Sequence, residues 1–233
     1  MAVTRQDNGS IEIKITLPWS QVKAAYQHQV DTAFSQTSLA GFRKGKAPRR
    51  LVESQLDKST LMSQALSELL PQAYSEIIQK ESFKPVLYPK IQIDSGKEGD
   101  DWQFTAVTCE SPAVTLPPNY QSQIKLLKVA GSDKKIGQVI DFLRQNSQVK
   151  IPDLLVEEEA NHRLASLAEN LTQLGLSLEK YLDTKKISAA SLKAETAKSA
   201  RSDLEIEFLL NHIQNLEHLP DRQKTLQFLQ SLV

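Results

Sequence analysis

Hydrophobic and polar positions alternate most clearly near the start of the chain. Ile11, Ile13, Ile15 and Leu17 are separated by Glu12, Lys14 and Thr16. A period of two with β-branched residues predicts a strand buried on one face, and Pro18 ends it. The period then lengthens. Val22, Ala25, Tyr26, Val30, Ala33 and Phe34 fall on one helical face, predicting a helix from near Trp19 or Ser20. A polar stretch, residues 36–47, follows and holds Gly41 and Gly45, the mark of a tight exposed turn. Pro48 suits the first turn of a short helix through Leu56. Apolar pairs recurring every four residues, from Leu61/Met62 to Ile77/Ile78, predict a long helix over about 60–82. Pro71 lies inside it, so a kink or two abutting helices is expected.

Two strands are predicted next. Residues 86–93 alternate around Pro89, which places that strand at an edge. Trp102, Phe104, Ala106 and Val107 begin the other, after a turn over 94–101. Pro112, Pro117 and Pro118 make the following stretch read as an extended linker, with Ile124, Leu126 and Leu127 as a short strand. Beyond about Ser132 the pattern is helical. Ile136, Val139, Ile140 and Leu143 form one stripe, and Val156, Ala160, Leu164, Leu167, Leu171 and Leu174 another, in a helix started by Pro152. Two more helices are expected over about 189–216 and 221–232. The order gives an α+β N-terminal domain with a small antiparallel sheet, followed by an all-α domain.

Composition narrows the function. The 233 residues carry 28 basic and 28 acidic side chains, which argues against a protein that coats nucleic acid. The single cysteine, Cys109, allows no intrachain disulfide or thiolate cluster and agrees with a reducing compartment. The first ten residues contain no apolar signal region, and no apolar run is long enough to span a membrane, so a cytoplasmic protein is expected. His28, His162, His212 and His218 have no second histidine or cysteine at ligand spacing, and Glu158 with His162 reads as a surface pair. Phosphate-cradling, nucleophile-elbow and zinc-protease motifs are all lacking. No enzyme activity, cofactor or metal is expected.

Against that neutral background one segment stands out. Arg43, Lys44, Lys46, Arg49 and Arg50 lie within eight residues, with no acid among them and Phe42 at their edge. Such a tip can dock on an anionic surface. Arginine grips phosphate or carboxylate bidentately, lysine adds point charge, and the phenyl ring enters an apolar niche or stacks on a base. A solvated charged loop is the plainer reading of the same composition.

Gly41-Phe42-Arg43-Lys44-Gly45-Lys46-Ala47-Pro48 resembles the ribosome-binding loop of the trigger factor family, a pattern GFRxGKxP whose fixed positions are all present here. The run Glu76-Ile77-Ile78-Gln79-Lys80-Glu81 before an extended pair is similar to the rest of that family's N-terminal domain. Val149-Lys150-Ile151-Pro152-Asp153-Leu154-Leu155-Val156-Glu157 and Phe208-Leu209-Leu210-Asn211-His212-Ile213 are similar to elements of its C-terminal domain. The resemblance covers nearly the whole chain and is most specific in the first 110 residues.

The resemblance implies an ATP-independent chaperone that docks at the ribosomal tunnel exit and shields nascent or unfolded polypeptides. Gly41, Phe42, Arg43, Lys44, Gly45, Lys46 and Pro48 would contact ribosomal protein and rRNA. The implied division is a ribosome-binding domain over 1–111, a linker over 112–132 and a shortened helical chaperone domain over 133–233. The family's FKBP-like prolyl-isomerase domain, which needs about 90 residues, would belong near Lys128-Val129-Ala130-Gly131-Ser132-Asp133, where the chain instead passes straight into helix. A free cytosolic holdase or assembly factor is the alternative. Self-association is left open, and no membrane partner is expected.

Overall fold

The computed structural model describes residues 2–36, 57–127 and 135–233. It comprises two units, one of residues 1–5 and 11–108 and the other of residues 6–10 and 109–233.

In the first unit a four-stranded sheet runs in the order β1-β2-β4-β3, with β1 at Ala2–Arg5, β2 at Ser10–Leu17, β3 at Lys90–Ser95 and β4 at Trp102–Cys109. Alternation in β2 does what the sequence predicts. Ile11, Ile13, Ile15 and Leu17 are buried while Lys14 faces solvent. Phe104 and Ala106 of β4 join them against two helices, α1 (Trp19–Gln36) and α2 (Lys58–Glu81). The Asp101 carboxylate accepts the Trp19 N–H at 2.9 Å and satisfies one orphan donor at the start of α1. The Arg5 guanidinium lies 5.1 Å from the Phe83 ring centre, a cation–π contact at the rim of this core.

Pro71 does not divide α2. A single helix of 24 residues passes through it, because Pro71 sits on the exposed side, where water can satisfy the carbonyl it leaves unbonded. Leu66 and Ile77 anchor the helix to this core on both sides of the proline, and Leu61 and Ala65 are buried as well. The strand expected over 86–93 starts only at Lys90, after Pro89, which has no N–H to give a ladder. Its predicted edge position is as observed.

In the second unit the expected linker is folded over its described part. Val114–Thr115 (β5) pairs antiparallel with Gln148–Val149 (β6). Of the residues read as a short strand, Ile124 belongs instead to a helix, α3 (Tyr120–Lys125), which Leu126 caps and Leu127 follows; its Tyr120 and Ile124 are both buried. At spacing i, i+4 these two share one helical face, and the core they meet decides the conformation. That core also takes Val139 and Leu143 from α4 (Lys135–Asn146), Leu209, Leu210 and Ile213 from α7 (Ala189–Leu216) and Leu229 from α8 (Arg222–Ser231). Two further helices are α5 (Asp153–Gln173) and α6 (Leu178–Lys185).

A polar clasp closes this core. The Tyr120 hydroxyl donates to Glu217 Oε1 at 2.5 Å, and Gln121 Nε2 donates to the same oxygen at 2.8 Å, tying α3 to the end of α7. Burial first, and then the bond to Glu217, push the Tyr120 phenol up from 10.0 to about 12. A raised phenol means that the folded state favours the neutral form. The stabilisation is therefore complete below the unfolded value near 10 and is lost as pH climbs towards about 12. Tyr120→Phe is expected to cost about 1–2 kcal/mol at neutral pH and to remove the phenolate absorbance step near pH 12, both readable by alkaline difference titration and urea unfolding.

Candidate functional site

Every residue that the sequence nominates for docking, Gly41, Phe42, Arg43, Lys44, Gly45, Lys46 and Pro48, lies outside the described residues, as does the short helix expected over 48–56. What is described is the frame on either side. α1 ends at Gln36 and α2 begins at Lys58, and the two helices pack against each other. Gln29 Nε2 donates to Glu68 Oε2 across the pair at 3.1 Å. Asp57 caps α2, accepting from the Ser59 N–H at 3.0 Å and from the Thr60 hydroxyl at 2.6 Å. These bonds, that from Thr60 first, hold its carboxyl below the ordinary value. Gln36 and Asp57 line one cleft of about 380 Å³ together with Gln29, Thr32, Thr60 and Gln64. Gln36 and Asp57, the described residues on either side of 37–56, thus lie on the same cleft.

The second unit contributes an arm. α5 packs along the N-terminal part of α7, with Ala160 and Ala200 buried where small side chains let the helices approach. Arg163 joins them, donating to Glu159 on its own helix and to Asp203 on α7, both at 2.6 Å. Asp203 first, and then Glu159, raise the Arg163 guanidinium further above its ordinary value. Arg201 reaches Asp153 at 2.5 Å near the start of α5. Such partly exposed pairs are worth about 0–1 kcal/mol each and serve mainly to fix which turn meets which.

Along α5, large apolar residues are exposed only past the helix end. Leu154, Leu155, Val156 and Leu171 are buried, whereas Leu174 is 74% exposed and Leu176 and Leu178 are also exposed. Local geometry explains the turn. Gly175, at φ +69°, ends α5, with its N–H bonded to Thr172 O and the Leu176 N–H to Leu171 O. Ser177 then caps α6, accepting from the Lys180 N–H. The tip is thus fully capped, yet α6 has no buried residue. Leu174 was read from sequence as the last member of the α5 stripe, and Leu176 and Leu178 were not singled out. The signal available was Leu174-Gly175-Leu176-Ser177-Leu178, apolar residues crowded around a helix stop.

Cys109 is buried, and burial pushes its thiol up, away from the reactive thiolate. His28, His162 and His218 are exposed. Among the described residues no group of three or more His, Cys, Asp or Glu side chains could hold a metal ion, and no helix is long and apolar enough to cross a membrane.

Comparison with known proteins gives two matching family models. One, for bacterial trigger factor protein, matches residues 1–143, and the other, for the C-terminus of bacterial trigger factor protein, matches residues 121–227. The trigger factor of Mycolicibacterium smegmatis is 27% identical over 134 residues, covering 58% of this chain and 29% of that one. That of Frankia casuarinae is 28% identical over 154 residues, covering 65% and 32%. The chain spans about a third of the length of the curated relatives it matches. A solved chain described for promiscuous substrate recognition in the folding and assembly activities of the trigger factor chaperone aligns with a TM-score of 0.40 at 16% identity, covering 61% of this chain and 34% of that one. The two matched regions meet and overlap over residues 121–143, leaving no room for another domain between them.

Proposed function

The chain belongs to the bacterial trigger factor family, as a member without the prolyl-isomerase domain between its N- and C-terminal regions, and on that premise we propose that it is an ATP-independent chaperone that docks at the ribosomal tunnel exit and shields emerging or unfolded polypeptides in the cytoplasm. The observation that carries the docking half is the motif from Gly41 to Pro48, with Phe42 and five nearby bases, in a segment framed by the ends of α1 and α2. Arg43, Lys44 and Lys46 meet ribosomal protein acids and rRNA phosphates, and Phe42 supplies an apolar anchor. Residues 1–111 form the docking domain and 133–233 the holding domain, with 112–132 at the place of the missing isomerase. No turnover is assigned to the chain.

The holding half is supported by the arm tip. Stripes on α4 and α8 are used up in their own core, whereas Leu174, Leu176 and Leu178 stay open to solvent on a capped, well-formed element. Exposed apolar area of this kind lets a protein hold unfolded segments without chemistry. Partial burial of one leucine by a client contributes about 1 kcal/mol. Leu174→Ser/Leu178→Ser is thus expected to raise the concentration needed to suppress aggregation of a denatured client about 30-fold. Its unfolding midpoint should stay close to the unmodified protein's, since neither side chain is in a core. Unchanged suppression would remove the tip from the holding surface. Co-sedimentation with ribosomes tests the docking half.

A further inference from the structure

Strand β3 is the outer strand of its sheet, and all six of its residues are exposed. Two of them are apolar and lie on the core side. Ile91 pairs with Ala106 and Ile93 with Phe104, both completely buried in the core that meets the helices. Opposed residues of an antiparallel pair share one side of the sheet, so Ile91 and Ile93 point there too, yet they are 41% and 56% exposed. Tyr88, just before the strand, is 98% exposed. Among the described residues no strand lies beyond β3, so one row of its backbone N–H and C=O groups faces outward. Natural sheets ordinarily blunt such an edge with charge. Here Lys90 and Asp94 fall on the other side, and the core side of the edge carries isoleucine alone.

A row of N–H and C=O groups at strand spacing is matched by one kind of ligand, an extended polypeptide backbone not already paired in a sheet. Unfolded chains supply such segments, and the side chains of β3 narrow the choice. Ile91 and Ile93 offer an apolar place to each of two alternate residues of an incoming strand. On the other side a base and an acid stand at the two ends, with the neutral Gln92 between them. A segment running antiparallel is complementary when it has a base opposite Asp94 and, four residues on, an acid opposite Lys90. Asp94 is held on that side, accepting from the Thr105 hydroxyl at 2.6 Å. Pro89 has no N–H, and the register shifts between Ile93 and Ser95, so the match is confined to residues 90–94. A contact this short binds weakly and releases readily. We propose that β3 is a second client site, which takes an extended, alternately apolar segment of unfolded polypeptide as an added antiparallel strand. It rests on the holding function proposed above and gives the first unit a hold of its own.

The probe is a capped peptide, Lys-Val-Thr-Val-Glu, titrated into the full chain while the backbone amide signals of residues 90–94 are followed by NMR. These signals should move and saturate at about 0.1–1 mM peptide. The same peptide methylated on every backbone nitrogen keeps its side chains but cannot donate to a ladder, and should cause no shift. Exchanging its lysine and glutamate puts like charges opposite Asp94 and Lys90, and should weaken binding about fivefold. Ile91→Lys/Ile93→Lys sets charge on the apolar side of the edge and should weaken binding at least tenfold. Its urea midpoint should match the unmodified protein's, since both positions are exposed. The methylated or the exchanged peptide binding as well as the first would overturn the proposal, as would a variant that binds like wild type. Shifts of residues 90–94 that follow protein concentration without peptide would assign the edge to a second copy and also overturn it. Suppression of client aggregation with no peptide-dependent shift removes the β3 site and leaves the holding function standing. Peptide binding at β3 in a chain that suppresses no aggregation upholds the strand-binding edge and overturns the holding function instead.

Discussion

Replacing Phe42, Arg43 and Lys44 together by alanine is expected to abolish co-sedimentation with bacterial ribosomes at concentrations where the unmodified chain pellets. Two mechanisms add. A central aromatic anchor in an interface is commonly worth about 2 kcal/mol or more when truncated. Each basic side chain set against phosphate or carboxylate adds a salt-sensitive contribution. The summed loss corresponds to an affinity lower by roughly 30-fold or more. Because the chain as a whole is neutral, with 28 bases and 28 acids, no general attraction to RNA should mask the change. Binding by unmodified protein should also weaken as salt rises from about 50 to 300 mM, over which the Debye length falls by more than half. Docking that ignores salt would argue against the basic segment as its cause. If neither protein pellets, the free holdase becomes the better reading, and the arm tip carries the whole function.

The second large effect is on stability. Phe104 is fully buried at the centre of β4, packed into the core between sheet and helices, with the Trp102 ring centre 6.2 Å away. Phe104→Ala is expected to cost about 3–5 kcal/mol, the lost transfer energy plus the cavity left behind. Single domains are typically stable by about 5–15 kcal/mol, so this is a large part of the whole. Both tryptophans, Trp19 and Trp102, lie in the first unit, so their fluorescence reports its unfolding directly. Its urea midpoint should fall by roughly 2 M. A shift worth less than about 1 kcal/mol would mean that Phe104 does not sit in a close-packed core.

Much of the fold was legible because its cores are periodic. The alternation through Ile11, Ile13, Ile15 and Leu17 predicted β2 with its buried face, and the repeats in α5 and α7 predicted long helices. The errors fall where a local signal was weak or shared between conformations. Tyr120 to Leu127 is too short for periodicity to separate strand from helix, and contact of Tyr120 and Ile124 with the second core settled it. The prolines at 112, 117 and 118 read as a linker, but composition does not reveal that Val114–Thr115 finds a partner strand in Gln148–Val149. Pro71 read as a kink or a junction of two abutting helices, and only the tertiary arrangement could place it on the solvent side of a helix anchored on both flanks. α6 was not given bounds of its own because its stripe, Leu178, Tyr181 and Leu182, spans only eight residues, too few for a periodicity to stand out.

The functional residues divide along the same line. The proposed docking segment is read from sequence alone, since its information is local: a run of bases, two glycines and one phenylalanine in fixed order. The exposed leucines of the arm tip and the bare isoleucines of β3 could not be found that way. In sequence they are apolar residues at ordinary spacing, no different from those of a core. Whether an apolar side chain is buried depends on which other element arrives to cover it. For Leu174, Ile91 and Ile93 none does, and that is a property of the folded chain rather than of any stretch within it.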